Sequence, residues 1–253
     1  MEKEDYFNQL REVSEKIIAL HEELIDDNRI GIDISQPGII KEVIIASILE
    51  HRIKSTKNQH DAEDFDNHNT RYEYLSSELK GGSASFQFDR TTRDNLNDKI
   101  KRNKAVYCAV FDPPDSLNIS RIWELVISES DDNCLYKFLK PKLNNASHYS
   151  FSERNFIEES VFFNPDNTSI CYPFDLKFGW NSNQLTLFSS QELQYELVLD
   201  SNGRNSRNGT LSRSIDNVYS VTLEKLHRTN TRHLLKITNN SINASFTLKI
   251  TFP

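Results

Sequence analysis

The chain has 253 residues, 37% hydrophobic and 26% charged, with a formal net charge of −7. That is enough apolar content for one large domain or a domain with a smaller module, and the acidic balance argues against nonspecific coating of nucleic acid. No run approaches the roughly 20 apolar residues of a membrane span, and the opening MEKEDYFNQL is charged, unlike a secretory leader, so the sequence predicts a cytoplasmic protein with no membrane partner.

Charge is unevenly spread. Residues 181–253 hold eight Lys/Arg against five Asp/Glu, a net +3, which leaves 22 basic and 32 acidic residues in the first 180, a net −10. Cys108, Cys134 and Cys171 are widely spaced without a CxxC, which suggests buried thiols rather than a disulfide framework or zinc site.

Residues 4–26 place Phe7, Leu10, Val13, Ile17, Leu20 and Leu24 at three- and four-residue steps, one apolar stripe on a helix that a symmetric dimer could bury. A second helix runs through ISQPGIIKEVIIASILEHRI, capped by Asp33 or Ser35 with Pro37 near its first turn, and its low polarity predicts deep burial. AEDFD and RYEYLS then read as two strands joined by NHNT, a tight-turn sequence. SASFQFDR alternates weakly, TTRDNLNDKIKRN reads as a polar connector or helix, and AVYCAVFD and SRIWELVIS are core strands turned by Pro113, Pro114 and Asp115. From about residue 170, QLTLFS, YELVLD, SVTLEKL, LLKIT and SFTLKITF alternate as a β module of about five strands, broken by loops such as SNGRNSRNG and RTNTR.

The chemistry gathers on the hairpin. Asp61, Glu63, Asp64 and Asp66 on one arm and Glu73 on the other can present two carboxylates on one face. Mg²⁺ takes hard oxygen ligands and keeps several waters, so two carboxylates, a carbonyl and a substrate phosphate suffice to hold it. There it would acidify a water for attack on a phosphodiester. A solvated acidic hairpin is the plain alternative.

DISQPGIIKEVIIASILEHRIKSTKNQHDAEDFDNHNTRYEYLSS, followed by KIKRNKAVYCAVFDPPDSLNISRIWELVISES, resembles PvuII-like type II restriction endonucleases, a branch of the PD-(D/E)xK nucleases. The family order is a buried helix, an acidic strand, a turn with Asn, a Tyr-Glu strand, a basic helix end and two core strands. The likeness covers roughly residues 30–130, more loosely 1–165. It implies an α/β (α+β) fold, a mixed sheet flanked by helices, over residues 1–168, with residues 169–253 as a β-rich C-terminal extension. It also implies a homodimer that makes Mg²⁺-dependent, site-specific cuts in double-stranded DNA, and a cognate DNA methyltransferase in the same system.

Carried over by position, Asp61 matches the first metal-binding aspartate, Glu73 the glutamate of the second strand, and the Tyr74 carbonyl the backbone ligand. Where the family has its catalytic lysine, this chain has Leu75. A second register is open, because Glu78-Leu79-Lys80 is itself an E-x-K that Asp64 or Asp66 would complete. A bulge at Ser76-Ser77 would instead bring Lys80 over the Glu73 metal. Lys80 is the favoured lysine, with Lys54 or Lys57 as outsiders, Glu42 an accessory acid, and His60 a polar-loop histidine.

In the family the next segment reads bases in the major groove. GGSASFQFDRTTRDN offers Ser85, Gln87, Asp89, Arg90 and Arg93, of which Gln suits adenine, Arg guanine and Asp cytosine. Lys99, Lys101, Arg102 and Lys104 suit phosphates. Arg204, Arg207, Arg213, Arg228 and Arg232, with His227 and His233, lie in Arg/Asn-rich C-terminal loops fit to clamp DNA. A dimerising or edge-covering extension is the rival reading.

Overall fold

The computed structural model describes residues 16, 19–20, 23, 38–54, 60–80, 83–88, 95–112, 117–127, 134–142, 149–158, 167–181, 183–199, 206–214, 218–226 and 232–252. Two compact units divide the chain, Met1–Thr70 and Arg71–Pro253. Among the described residues no helix is long and apolar enough to cross a membrane.

In the first unit, Lys16, Ala19, Leu20 and Glu23 are helical and exposed, and Leu20 of the predicted stripe is 50% exposed. The second helix is α1 (Ile39–Leu49). Its predicted caps, Asp33 and Ser35, lie outside the described residues. The N-cap position is Gly38, whose φ of 89° suits a residue without Cβ. Glu50 closes the helix in a left-handed conformation at φ 57°. The expected deep burial is not met. Ile39, Ile45 and Ala46 are buried, whereas Ile40 is 43% exposed, because apolar residues surround this helix on all sides while burial reaches only part of it. Two short strands, β1 (Arg52–Ile53) and β2 (Ala62–Glu63), then pair antiparallel, Arg52 opposite Glu63.

In the second unit the strands are β3 (Arg71–Glu78), β4 (Ser85–Phe88), β5 (Ala105–Phe111), β6 (Ile119–Val126), β7 (Tyr149–Ser152), β8 (Thr168–Tyr172), β9 (Leu176–Asn181), β10 (Gln184–Ser189), β11 (Gln194–Leu199), β12 (Ser206–Thr210), β13 (Ser212–Arg213), β14 (Tyr219–Glu224), β15 (Arg232–Asn239) and β16 (Ala244–Thr251). Among the described residues three short helices interleave, α2 (Leu96–Lys101), α3 (Cys134–Leu139) and α4 (Glu153–Glu158). A mixed sheet runs in the order β3-β5-β6-β8-β9-β10-β14-β13. Its one parallel pair here is β3 with β5, which the chain joins through α2, and the other described pairs are antiparallel. A second sheet has the order β12-β11-β15-β16, and β4 pairs with β7.

Every residue of β5 is buried, as its unbroken apolar run predicts. The core continues through Phe86, Phe151, Phe156, Trp123 and Phe178 to Leu235, Ile237 and Leu248 of the second sheet. Successive rings in it touch, Phe86 with Phe156, Phe156 with Trp123, and Trp123 with Phe178 at centroid distances of 6.0, 5.2 and 5.5 Å.

The boundary expected at 168/169 falls at the start of β8, and β8 pairs with β6. The C-terminal strands thus divide between two sheets: β8, β9, β10, β14 and β13 extend the sheet begun by β3, and the others form the second. The predicted loop RNSRNGTLSR contains β12, an edge strand exposed along its whole length and held by pairing with β11. Backbone bonding alone makes it a strand, since no side-chain alternation marks it.

Candidate catalytic site

The predicted turn is built from its own side chains. The Asp64 N–H donates to the Thr70 carbonyl at 2.9 Å and the Thr70 N–H to the Asn67 carbonyl at 2.8 Å. Asp64 Oδ1 accepts from the Asp66 and Asn67 N–H groups at 2.9 and 2.8 Å, and Asn67 Oδ1 from the Asn69 N–H at 3.2 Å. Asp64 is therefore a turn-former here, and Asp66 is exposed.

Among the described residues of this unit the buried acid is Glu63, at 2% exposure. Lys54 Nζ lies 2.8 Å from Oε2, His68 Nδ1 2.9 Å from Oε1, Arg52 Nη1 3.8 Å from Oε1 and His60 Nε2 3.7 Å from Oε2. Burial alone would raise the Glu63 pKa. The Lys54 hydrogen bond and the charges of Lys54, His68 and Arg52 outweigh it and hold the carboxyl below its ordinary value. His60, expected in a solvated loop, is 3% exposed beside this carboxylate. Burial also lowers His51 to about 4, against the raising pull of Asp64. Asp61 is half-buried, and its carbonyl accepts from the Lys54 N–H at 2.8 Å. Glu42 is half-buried in the first turn of α1. Lys57 lies outside the described residues.

In the second unit, Glu73 lies on β3 with its side chain 16% exposed, and Arg102 Nη2 donates to Glu73 Oε2 at 3.4 Å. The register pairs Glu73 with Val106, Leu75 with Cys108 and Ser77 with Val110, so these three share the face of Val106 and Cys108. Leu75 packs against the apolar core there. Tyr72 and Tyr74 point the other way, both buried, with their rings 5.6 and 6.1 Å from that of Tyr107.

The run from Tyr72–Ala105 to Glu78–Phe111 is unbroken, so the alternative of a bulge at Ser76-Ser77 that would bring Lys80 over Glu73 is not formed. Strand alternation then sets Glu78 on the face opposite Glu73. Lys80 follows the strand. It is exposed, and its backbone exchanges two hydrogen bonds with Ser83, at 3.0 and 3.2 Å, across the Gly81-Gly82 step. Sequence reasoning missed Arg102 as the cation on Glu73, because 29 residues separate them.

Among the expected base readers, Ser85 and Gln87 are exposed on β4, whose Phe86 and Phe88 are buried. Gln87 Oε1 accepts from Ser150 Oγ at 3.3 Å and Ser85 Oγ donates to the Phe151 carbonyl at 3.4 Å. Asp89, Arg90 and Arg93 lie outside the described residues, as do Arg204, His227 and Arg228. Lys101 Nζ is 5.7 Å from the Tyr136 ring centre, and Lys104 is exposed. Arg213 is exposed on the edge strand β13. Arg207, on β12, belongs to the row of Leu197 and Leu235, while Arg232 pairs with Thr251 on the other side of that sheet. His233, expected in a DNA-clamping loop, is instead buried against Phe252 at 4.9 Å, and its Nε2 accepts from the Leu226 N–H.

Asp61 and Glu73 each carry a carboxylate, the kind of hard oxygen donor that Mg²⁺ takes. Among the described residues no group of three or more His, Cys, Asp or Glu side chains gathers as a metal-ligand set. Comparison with family models, curated proteins and solved structures finds no match for this chain.

Proposed function

We propose that the chain is a DNA-cleaving enzyme of the type II restriction endonuclease kind, hydrolysing phosphodiesters in double-stranded DNA with Asp61 and Glu73 as its acids. The supporting observation is the element order over residues 39–126: helix α1, short strands β1 and β2, a tight turn, the Glu73 strand β3, strand β4, helix α2, then β5 laid parallel to β3 and β6 beside it. Apart from the additional β1 and β4 and the partial burial of α1, that is the order expected of the resembled family. Bound Mg²⁺ would polarise the phosphoryl oxygen and acidify a water.

This chain's own groups supply the rest. Arg102 contacts the Glu73 carboxylate and orients it. In-line attack by water breaks the bond to O3′ and leaves a 5′-phosphate. A homodimer would match a two-fold site and cut both strands, and a partner methyltransferase would protect the host sequence.

Leu75 favours a second reading, a catalytically inactive DNA-binding or regulatory protein on the same scaffold. At the position of the expected lysine the chain has an aliphatic side chain seated against the core.

Supercoiled plasmid incubated with Mg²⁺ or with EDTA separates the two. Wild-type protein is expected to nick and linearise it only with Mg²⁺, and Asp61→Ala and Glu73→Ala to leave it supercoiled. Intact plasmid with wild-type protein, together with a salt-sensitive mobility shift in Ca²⁺, selects the second reading. Cleavage by both variants at the wild-type rate would remove the acids from the site.

A further inference from the structure

The sheet β12-β11-β15-β16 has one face in the core and one in solvent. Direct pairing puts Arg232 opposite Thr251, Leu234 opposite Lys249, Lys236 opposite Thr247 and Thr238 opposite Ser245. Across the other edge of β15, Thr238 meets Gln194 and Lys236 meets Glu196, and these in turn meet Thr210 and Asn208. Paired residues share a face, and the residues between them, such as His233, Leu235, Ile237, Phe246, Leu248 and Ile250, are buried.

The open face therefore carries Arg232, Lys236 and Lys249, with one acid, Glu196, among its described side chains. Lys249 is the diagonal neighbour of both Arg232 and Lys236, at about 7–8 Å. Arg154 adds a fourth cation at the margin, where its Nη2 donates to Thr251 Oγ1 at 3.3 Å. Beside Lys236 a hollow of about 400 Å³ is lined by the amides and hydroxyls of Gln194, Asn208, Thr210 and Thr238, together with Glu196 and Tyr195. Side-chain amides and hydroxyls are groups that donate to phosphate and sugar oxygens.

We infer that this open face binds the phosphodiester backbone of duplex DNA. Charge complementarity selects the occupant. In a chain of net charge −7, cations at neighbouring positions among hydroxyls fit a regular polyanion, and among its described side chains the face carries no aromatic residue on which single-stranded bases would stack. Lys236, Lys249 and Arg154 are contacts that a reading of loop composition does not find. The inference rests on the proposal that the protein acts on DNA, and it assigns that action a docking surface in the second unit.

Fluorescence anisotropy of a labelled duplex in Ca²⁺ tests it, across a salt titration. The triple variant Arg232→Gln, Lys236→Gln, Lys249→Gln changes exposed side chains only, and circular dichroism checks its fold. It is expected to weaken binding at least about tenfold and to lower the slope of log K against log salt by about 1 for each contact removed. The same charge change at Lys41, Lys137 and Lys177 serves as the comparison and is expected to leave binding within about twofold of wild type.

Equal binding by wild type and the open-face variant overturns the inference, as does an equal loss in the comparison variant or no duplex binding by wild type at low salt. Plasmid nicking in Mg²⁺ is read separately. Cleavage with unchanged binding in the open-face variant defeats the surface and keeps the nuclease, whereas binding lost in that variant without any wild-type cleavage keeps the surface and defeats the nuclease.

Discussion

Arg121 of β6 and Glu153 of α4 form a two-pronged ion pair inside the second unit, at 1% and 3% exposure. Glu153 also accepts from Trp123 Nε1 at 2.7 Å and from the Ala84 N–H at 3.0 Å, and the Arg121 guanidinium lies 5.7 Å from the Phe246 ring centre. One carboxylate thereby ties the start of α4 to β6 and to the segment entering β4, beneath a strand of the second sheet.

Breaking that pair from one side strands the other charge. Arg121→Ala and Glu153→Ala are each expected to lower unfolding free energy by about 3–5 kcal/mol, while the two together should cost less than the sum. Urea unfolding followed by Trp fluorescence measures this. Purely additive losses would show that the two groups act independently.

In the first unit, acid stability has two windows. His51 is depressed to about 4 from 6.5. The unfolded chain takes up that proton first, so stability present above about 6.5 declines as pH falls toward 4. Glu63 is depressed below 4.5, so its contribution is full above that value and is lost as pH falls beneath it. His51→Gln should flatten the upper window and Glu63→Gln the lower. Urea midpoints between pH 3 and 7, reported by hydrogen exchange of α1 amides, distinguish them. An unchanged upper slope in His51→Gln would mean that the imidazole is not desolvated.

Strands with an apolar run or a clear alternation were legible, whereas β1, β7, β8, β9, β12 and β13 were not, and no strand's sheet partner was. β5 and β6 follow from apolar runs, and β10, β11, β14, β15 and β16 from alternation, because side-chain burial dictates both patterns. Which sheet each strand joins depends on long-range pairing that leaves no local trace, so the C-terminal strands read as one module. Glu153 sits in SERNF without any periodic signal, and its role exists only once Arg121 and Trp123 arrive from 32 and 30 residues away. The turn acids behave similarly: Asp61 and Glu63 look equivalent in DAED, and only the pairing of β2 with β1 buries the second beside Lys54.

Leu75 offers a direct probe of the second reading. Replacing it with Lys restores the residue type of the resembled family, on the face of β3 that also bears Glu73. An ammonium there loses apolar contact and solvation, with an expected cost of about 1–3 kcal/mol. If the missing lysine is what limits cleavage, Leu75→Lys should raise the Mg²⁺-dependent nicking rate despite lower stability. Reduced stability with no gain in rate would show that the site does not need a cation at this position.

Arg102 and Lys80 compete for the place of the cation that serves Glu73, and the geometry separates them. Arg102 touches the carboxylate at 3.4 Å, whereas Lys80 follows a strand of unbroken register and is held by its backbone to Ser83. Lys80→Ala is therefore expected to cut plasmid within about twofold of the wild-type rate. Arg102→Ala removes the guanidinium that contacts the Glu73 carboxylate and is expected to slow cleavage, and Arg102→Lys, which keeps the charge, should restore part of the rate. Single-turnover cleavage measures all three, and a Lys80→Ala rate near that of Glu73→Ala would return the role to Lys80.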